Sequence, residues 1–153
     1  MAFYVITILF LNVPTSILAT YAGLGLLQSR QPVTRILLWG TLPGLVMPLL
    51  RAIPPFGVHV PLGVLIHVLI LRYLTRAKWS MCLLGSLLPN LLMVIAEGLV
   101  SVPIIYGMMG LSLAEGLQNP WITVAGGWMS NVFIVLMCIY FYWRNRSGGA
   151  VDA

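Results

Sequence analysis

Long runs of apolar residues dominate the chain, and short polar clusters separate them. A helix needs about 20 apolar residues to cross the hydrocarbon core of a bilayer. Five runs reach or approach that length, and each predicts a transmembrane helix. The predicted spans are Ala2–Gln28, Thr34–Ile53, Val58–Leu74, Trp79–Tyr106 and Trp121–Trp143. The sequence therefore predicts an all-α protein, a polytopic membrane bundle of five transmembrane helices.

The composition agrees with lipid as the surrounding solvent. Apolar residues make up 60% of the chain and charged residues only 7%, and the mean hydropathy is +1.01. So few charges could not cover the surface of a soluble domain of this size. Residues 1–146 are expected to form one helical bundle, and residues 147–153 are expected to form a short flexible tail.

The basic residues sort by connection, and this pattern predicts the orientation in the membrane. They are Arg30 and Arg35 at the first connection, Arg72, Arg76 and Lys78 at the third, and Arg144 and Arg146 after the last run. Only Arg51 belongs to an even-numbered connection. Because Lys and Arg are retained on the cytoplasmic side, the N-terminus is predicted outside and the C-terminus inside.

Glu97 is the only carboxylate within a long apolar run, and it is the most informative polar residue of the chain. An ionisable group at this depth is costly, so it is expected to have a partner or a functional role. Arg51 comes near the end of another run, at a similar predicted depth. An Arg51–Glu97 pair is therefore predicted in the outer third of the membrane.

Other polar side chains also fall within or beside the runs. His67, Asn90 and Asn131 are predicted near the midplane, and His59 lies at an outer connection. Together with Arg51 and Glu97 they form the predicted ligand-binding set, a polar cavity open to the outside. The alternative is that each Asn or His makes one interhelical hydrogen bond, and that alternative is favoured for the Asn residues.

Prolines and small residues predict bends and close helix contacts. Pro14 and Pro89 each remove a backbone hydrogen bond, which frees a carbonyl for a neighbour, a water or a ligand. Asn90 directly follows Pro89, so its carboxamide is expected to serve the freed backbone. Gly40 and Gly44 form a GxxxG motif that permits close backbone approach, within one bundle or between copies of the chain.

Motifs for enzymatic chemistry are absent from the sequence. It contains no HExxH, Walker or GxSxG motif, and it has no acidic cluster for a metal. Cys82 and Cys138 lack metal-ligand spacing and are interpreted as packing residues. We therefore expect neither an enzyme nor a bound cofactor or metal. The formal charge of +5 belongs to the membrane connections, so no nucleic-acid partner is predicted.

Three segments resemble the N-terminal membrane modules of Gram-positive GHKL-type sensor histidine kinases. They are the sequence RAIPPFGVH at Arg51–His59, the pair Ala96–Glu97, and the sequence LAEGLQNPW at Leu113–Trp121. The resemblance implies a helical sensing module in a bacterial plasma membrane, with Arg51, His59 and Glu97 as the matching polar positions. No phosphoacceptor helix or ATP-binding part is present in the sequence, so kinase activity does not follow.

Three functions remain open from the sequence. The leading hypothesis is a sensor or receptor-like module that binds an extracellular or outer-leaflet signal, a small molecule or a peptide. It would pass that signal to a cytoplasmic or membrane protein partner, and it could form a homo-oligomer. The alternatives are a small transporter or substrate-binding subunit like the vitamin-capture components, and a structural assembly subunit. A sixth helix near Met108–Gln118 would favour the transporter, whereas the segment Leu111–Gln118 is expected to be a short amphipathic connector.

Overall fold

The computed structural model describes residues 2–51, 59–108, 110 and 118–147, and no strand occurs within these ranges. Helix α1 comprises Ala2–Thr7, a π-helical turn at Ile8–Asn12, and Val13–Leu26. Helix α2 is Val33–Arg51, and α3 is His59–Thr75. Helix α4 comprises Trp79–Ala96 and two π-helical segments, Glu97–Ser101 and Pro103–Met108. Helix α5 is Pro120–Ser147.

Four helices of the described chain are long and apolar enough to cross a membrane. These spans are Phe3–Leu26, Val33–Leu50, Trp79–Ile105 and Pro120–Arg146. Helix α3 is also apolar, but with 17 residues it is shorter than the others. The prediction of an all-helical membrane bundle is confirmed at this level. The predicted helix Leu111–Gln118 and the predicted tail 147–153 lie outside the described residues, apart from Gln118 and Ser147.

Helix α1 contacts each of the other four helices, and small residues bring the backbones together. A Cβ atom added at Gly44 of α2 would lie 2.7 Å from the carbonyl oxygen of Asn12 in α1. A Cβ atom added at Gly23 of α1 would lie 2.8 Å from the carbonyl oxygen of Gly85 in α4. Neither position can hold a larger side chain without backbone movement. The GxxxG motif of α2 is therefore used inside the monomer, against α1.

A proline-freed carbonyl in α1 is satisfied by a neighbouring helix. In a regular α-helix the amide of residue 14 would donate to the carbonyl of Phe10, but Pro14 has no N–H. The indole Nε1 of Trp128 in α5 donates to that carbonyl at 2.8 Å. The carbonyl beside the π-helical turn of α1 thus accepts a hydrogen bond from the last helix, and a neighbour of this kind is one of the partners that the sequence predicts for a freed carbonyl.

The basic residues of different connections meet at one end of the bundle. Arg30 donates from Nη2 to the carbonyl of Asn145 at 2.7 Å, and Arg144 donates from Nη2 to the carbonyl of Gly25 at 3.1 Å. Gln31 donates from Nε2 to the carbonyl of Leu74 at 2.9 Å. These bonds join the ends of α1, α3 and α5. Arg30 and Arg144, which are far apart in the sequence, therefore lie at the same end of the bundle.

Candidate functional site

Glu97 stands at the point where α4 changes from α-helical to π-helical geometry. Its side chain is exposed on the helix surface, although it lies within the apolar span Trp79–Ile105. Among the described residues, no hydrogen bond or ion pair involves this carboxylate. The side chain of Arg51 lies outside the described part of the structure, so the predicted Arg51–Glu97 pair stays a prediction.

His67 is buried at the contact between α3 and α1. Its Nε2 lies 3.1 Å from the hydroxyl oxygen of Thr20, and that hydroxyl donates to the carbonyl of Ser16 at 2.8 Å. Since the hydroxyl has one proton and gives it to Ser16, the histidine must donate from Nε2 in this arrangement. His67 therefore links two helices. This contact fits the alternative in which a polar residue near the midplane makes one interhelical hydrogen bond.

Asn131 is fully buried between α5 and α1. Its Nδ2 donates to the hydroxyl of Thr15, which joins the two helices. Its carbonyl oxygen Oδ1 has no hydrogen-bond partner within the described residues, and the same holds for the hydroxyl of Ser16. A buried amide oxygen without a partner loses the hydrogen bonds that water would supply.

Asn90 serves the backbone of its own helix. Its Nδ2 donates to the carbonyl of Ser86 at 2.7 Å, one residue beyond the carbonyl that Pro89 frees. The sequence predicts this kind of role for Asn90, although the carbonyl that it reaches is the adjacent one. The carbonyl of Gly85, which Pro89 leaves without its helical donor, instead faces Gly23.

The six predicted ligand residues divide into two groups in the fold. Arg51 is the last residue of α2, and His59, which is half-buried, is the first residue of α3. Glu97 lies in the second half of α4. These three residues therefore belong to the same end of the bundle. The other three, His67, Asn90 and Asn131, lie farther inside and bond to Thr20, Ser86 and Thr15. The hydrogen bonds of His67, Asn90 and Asn131 all go to residues outside the predicted set.

A second polar contact of α4 involves residues that the sequence does not single out as a site. Ser101, in the π-helical segment that Glu97 begins, lies 2.7 Å from the hydroxyl of Ser130 in α5. Both hydroxyls also reach the carbonyl of Gly126, at 2.8 Å and 3.0 Å. The spacing of Gly126 and Ser130 is a signal for close packing, and Ser101 makes hydrogen bonds to both residues.

Two cavities lie at the basic end of the bundle, away from the six predicted residues. The larger one, of about 620 Å³, lies between α2 and α3. The smaller one, of about 190 Å³, lies between α1, α2 and Asn145 of α5. Across the described ranges, no three His, Cys, Asp or Glu side chains come together as metal ligands.

No protein-family model matches the chain, and no curated protein or solved structure is significantly similar to it. The likeness to sensor-kinase membrane modules therefore stays a prediction from its three short segments. What the chain does has to be inferred from its own residues.

Proposed function

We propose that the chain is a membrane-embedded sensor or receptor-like module of a bacterial plasma membrane. In this proposal α3 completes five crossings, with the N-terminus outside and the C-terminus in the cytoplasm. A small molecule or peptide from the outside or the outer leaflet would contact Glu97, and α5 would carry the response to a cytoplasmic or membrane protein. The exposed Glu97 carboxylate at the start of a π-helical segment is the observation that carries this proposal.

The cost of the Glu97 carboxylate supports a functional role. A carboxylate on the lipid-exposed side of a span is destabilising unless something compensates its charge, and such residues commonly mark functional sites. Segments of π-helix are also frequent at functional sites. Both features coincide at one residue of α4.

The neighbouring contacts provide a route from Glu97 to the last helix. Four residues after Glu97, Ser101 is hydrogen-bonded to Ser130 and to the carbonyl of Gly126 in α5. A change in the geometry of the π-helical segment would therefore alter the contact between α4 and α5. Helix α5 continues to the basic end, where Arg144 bonds to the backbone of α1.

Native mass spectrometry of the detergent-solubilised protein, isolated from a bacterial membrane that contains its natural signal, tests the proposal. We expect a bound molecule on the unmodified protein and at least a tenfold lower occupancy on Glu97→Gln, because the substitution removes the charge and retains the shape. Leu99→Ala is the control, since Leu99 lies in the same π-helical segment with 73% of its surface exposed. That variant should keep the ligand.

Two outcomes would contradict the proposal. One is the absence of a bound molecule from every sample, which would favour the structural-subunit alternative. The other is equal ligand occupancy on Glu97→Gln and on the unmodified protein, which would place the ligand elsewhere.

A further inference from the structure

The larger cavity at the basic end has an unusual lining. Arg35 and Trp39 of α2 form one side, and the last turn of α3 with the following residue forms the other. The complete lining consists of Arg35, Trp39, Arg72, Tyr73, Leu74 and Arg76. Three of these six residues are arginines and none is acidic, so the cavity of about 620 Å³ concentrates positive charge.

One of the three arginines is held in place by the fold. The Nη1 of Arg72 donates to the carbonyls of Arg76 and Ala77, which follow the end of α3. Its guanidinium carbon also lies 5.5 Å from the centre of the Trp79 ring. Arg72 therefore stabilises the connection between α3 and α4, and its charge is fixed beside the cavity.

The other two arginines are available to a ligand. The side chains of Arg35 and Arg76 are exposed, and neither guanidinium makes a hydrogen bond or ion pair to another described residue. Arg76 has a φ of 54°, in the left-handed region, and its amide closes the end of α3 on the carbonyl of Arg72 at 2.9 Å. The hydrogen bond at the end of α3 thus fixes the backbone of Arg76, while its guanidinium bonds to no other described residue.

Two aromatic rings form one wall of the cavity. Trp39 lies one helical turn after Arg35, and its ring centre is 4.8 Å from that of Tyr73. Tyr73 is 66% exposed, so the pair faces outward as well as into the cavity. Trp and Tyr are typical of the level at which lipid headgroups meet the hydrocarbon. A ligand in this cavity can therefore be anionic at one end and apolar at the other.

We infer that this cavity binds the phosphate headgroup of an anionic phospholipid. Arginine forks match phosphate oxygens in a bidentate manner, and basic residues at a membrane surface attract anionic lipids. A lipid fits better than a soluble phosphate, because the aromatic wall lies where acyl chains leave the headgroup. The inference goes beyond the proposed function and does not depend on Glu97.

Binding of phosphatidylglycerol, measured by native mass spectrometry after titration into the detergent-solubilised protein, tests the inference. The double variant Arg35→Gln/Arg76→Gln should bind at least about tenfold more weakly. Each basic residue near a membrane surface strengthens the attraction to anionic lipid by about fivefold, and the variant removes two of them. Arg72 is left intact because it holds the connection. Gln is acceptable at position 76, since Gln28 adopts the same backbone region with a φ of 53°.

The matched control is Lys78→Gln/Arg146→Gln. Both residues are exposed near the same end and outside the lining of either cavity, so the loss of charge is the same. We expect this control to bind phosphatidylglycerol within about twofold of the unmodified protein. Equal weakening in both double variants would overturn the inference, because it would show general attraction rather than a site. Unchanged binding in Arg35→Gln/Arg76→Gln would overturn it as well.

Two further probes identify the source of the phosphate and guard against misfolding. Glycerol 1-phosphate at millimolar concentration should not displace the lipid, and full displacement would assign the cavity to a soluble anion instead. Phosphatidylglycerol with brominated chains should quench tryptophan fluorescence more strongly than brominated phosphatidylcholine. That difference should fall in the folded single variant Trp39→Phe, and an unchanged difference would count against the site.

Discussion

The hydrogen bond between His67 and Thr20 is a buried polar contact between two helices. It joins α3 to α1. The Thr20 hydroxyl accepts this bond and donates its own proton to the carbonyl of Ser16. Both side chains are buried, with 7% of His67 and none of Thr20 exposed. Loss of the shared hydroxyl would leave the histidine N–H without its acceptor.

The substitution Thr20→Val should therefore destabilise the protein by about 1 kcal/mol, since it keeps the shape and removes the hydroxyl. Unfolding by sodium dodecyl sulfate in mixed micelles measures the difference. Thr41→Val is the control, because the Thr41 hydroxyl bonds only to the carbonyl of Leu37 within α2. If both variants lose the same stability, the contact with His67 contributes nothing of its own.

Such residue-scale pairs are beyond the reach of the sequence. The depth of His67 follows from counting along its apolar run, but the identity of its partner depends on how α1 and α3 are rotated against each other. A threonine in an apolar run does not predict an interhelical hydrogen bond, because its hydroxyl can bond to a carbonyl of its own helix. Thr15 as the partner of Asn131, and Ser101 as the partner of Ser130, escape prediction for the same reason.

At the scale of elements, one hydrogen bond between α1 and α5 uses an irregularity in α1. Pro14, which follows the π-helical turn, has no N–H to give to the Phe10 carbonyl, and the indole of Trp128 supplies a donor. The two features are complementary, so the energetic effect of each should depend on the other.

A double-mutant cycle measures that dependence. Trp128→Phe alone should lower the free energy of unfolding by about 1 kcal/mol, because a carbonyl within the membrane loses its donor. In a Pro14→Ala background, residue 14 regains an N–H for the Phe10 carbonyl, so the same substitution should cost less. We expect a coupling of about 0.5–1 kcal/mol in the cycle, and additive effects would contradict the proposed complementarity.

The helices themselves are predictable from the sequence, and their finer geometry is only partly so. The run Thr34–Ile53 corresponds to α2 at Val33–Arg51, because the length of an apolar run is a direct property of the sequence. The excess length of the fourth run predicts a tilt, a kink or an interfacial turn, whereas the feature that the structure shows after Ala96 is π-helical geometry. No residue pattern specifies a π-helical turn, so its position could not be predicted.

At the scale of the whole molecule, the fold brings basic groups from distant parts of the sequence to one end. The segregation of charge is predictable, since it needs only the alternation of connections. The cavity of Arg35, Arg72 and Arg76 is not, because it requires α2 and α3 to be neighbours at a particular separation.

Cysteine labelling in intact cells tests the proposed orientation. Both natural cysteines are buried, with none of Cys82 and 8% of Cys138 exposed, so they should give little background. A membrane-impermeant maleimide should label Gln118→Cys from the outside and should label Ser80→Cys only after the cells are opened. Both positions are exposed. Gln118 lies just before α5, and Ser80 lies in the first turn of α4. The two positions are therefore expected on opposite sides of the membrane. The reverse pattern would invert the proposed topology.

The π-helical segment Glu97–Ser101 also determines where the chain can change its length. A π-helical bond spans one residue more than an α-helical bond, so such a segment behaves as a one-residue insertion in an α-helix. Loss of a residue from Trp79–Ala96 would rotate every later side chain by about 100°. Loss of Gly98, whose missing Cβ faces no atom within 4 Å, would instead return the segment to α-helix and keep Ser101 in phase with Ser130. Variation in length among related chains should therefore concentrate at this point of α4.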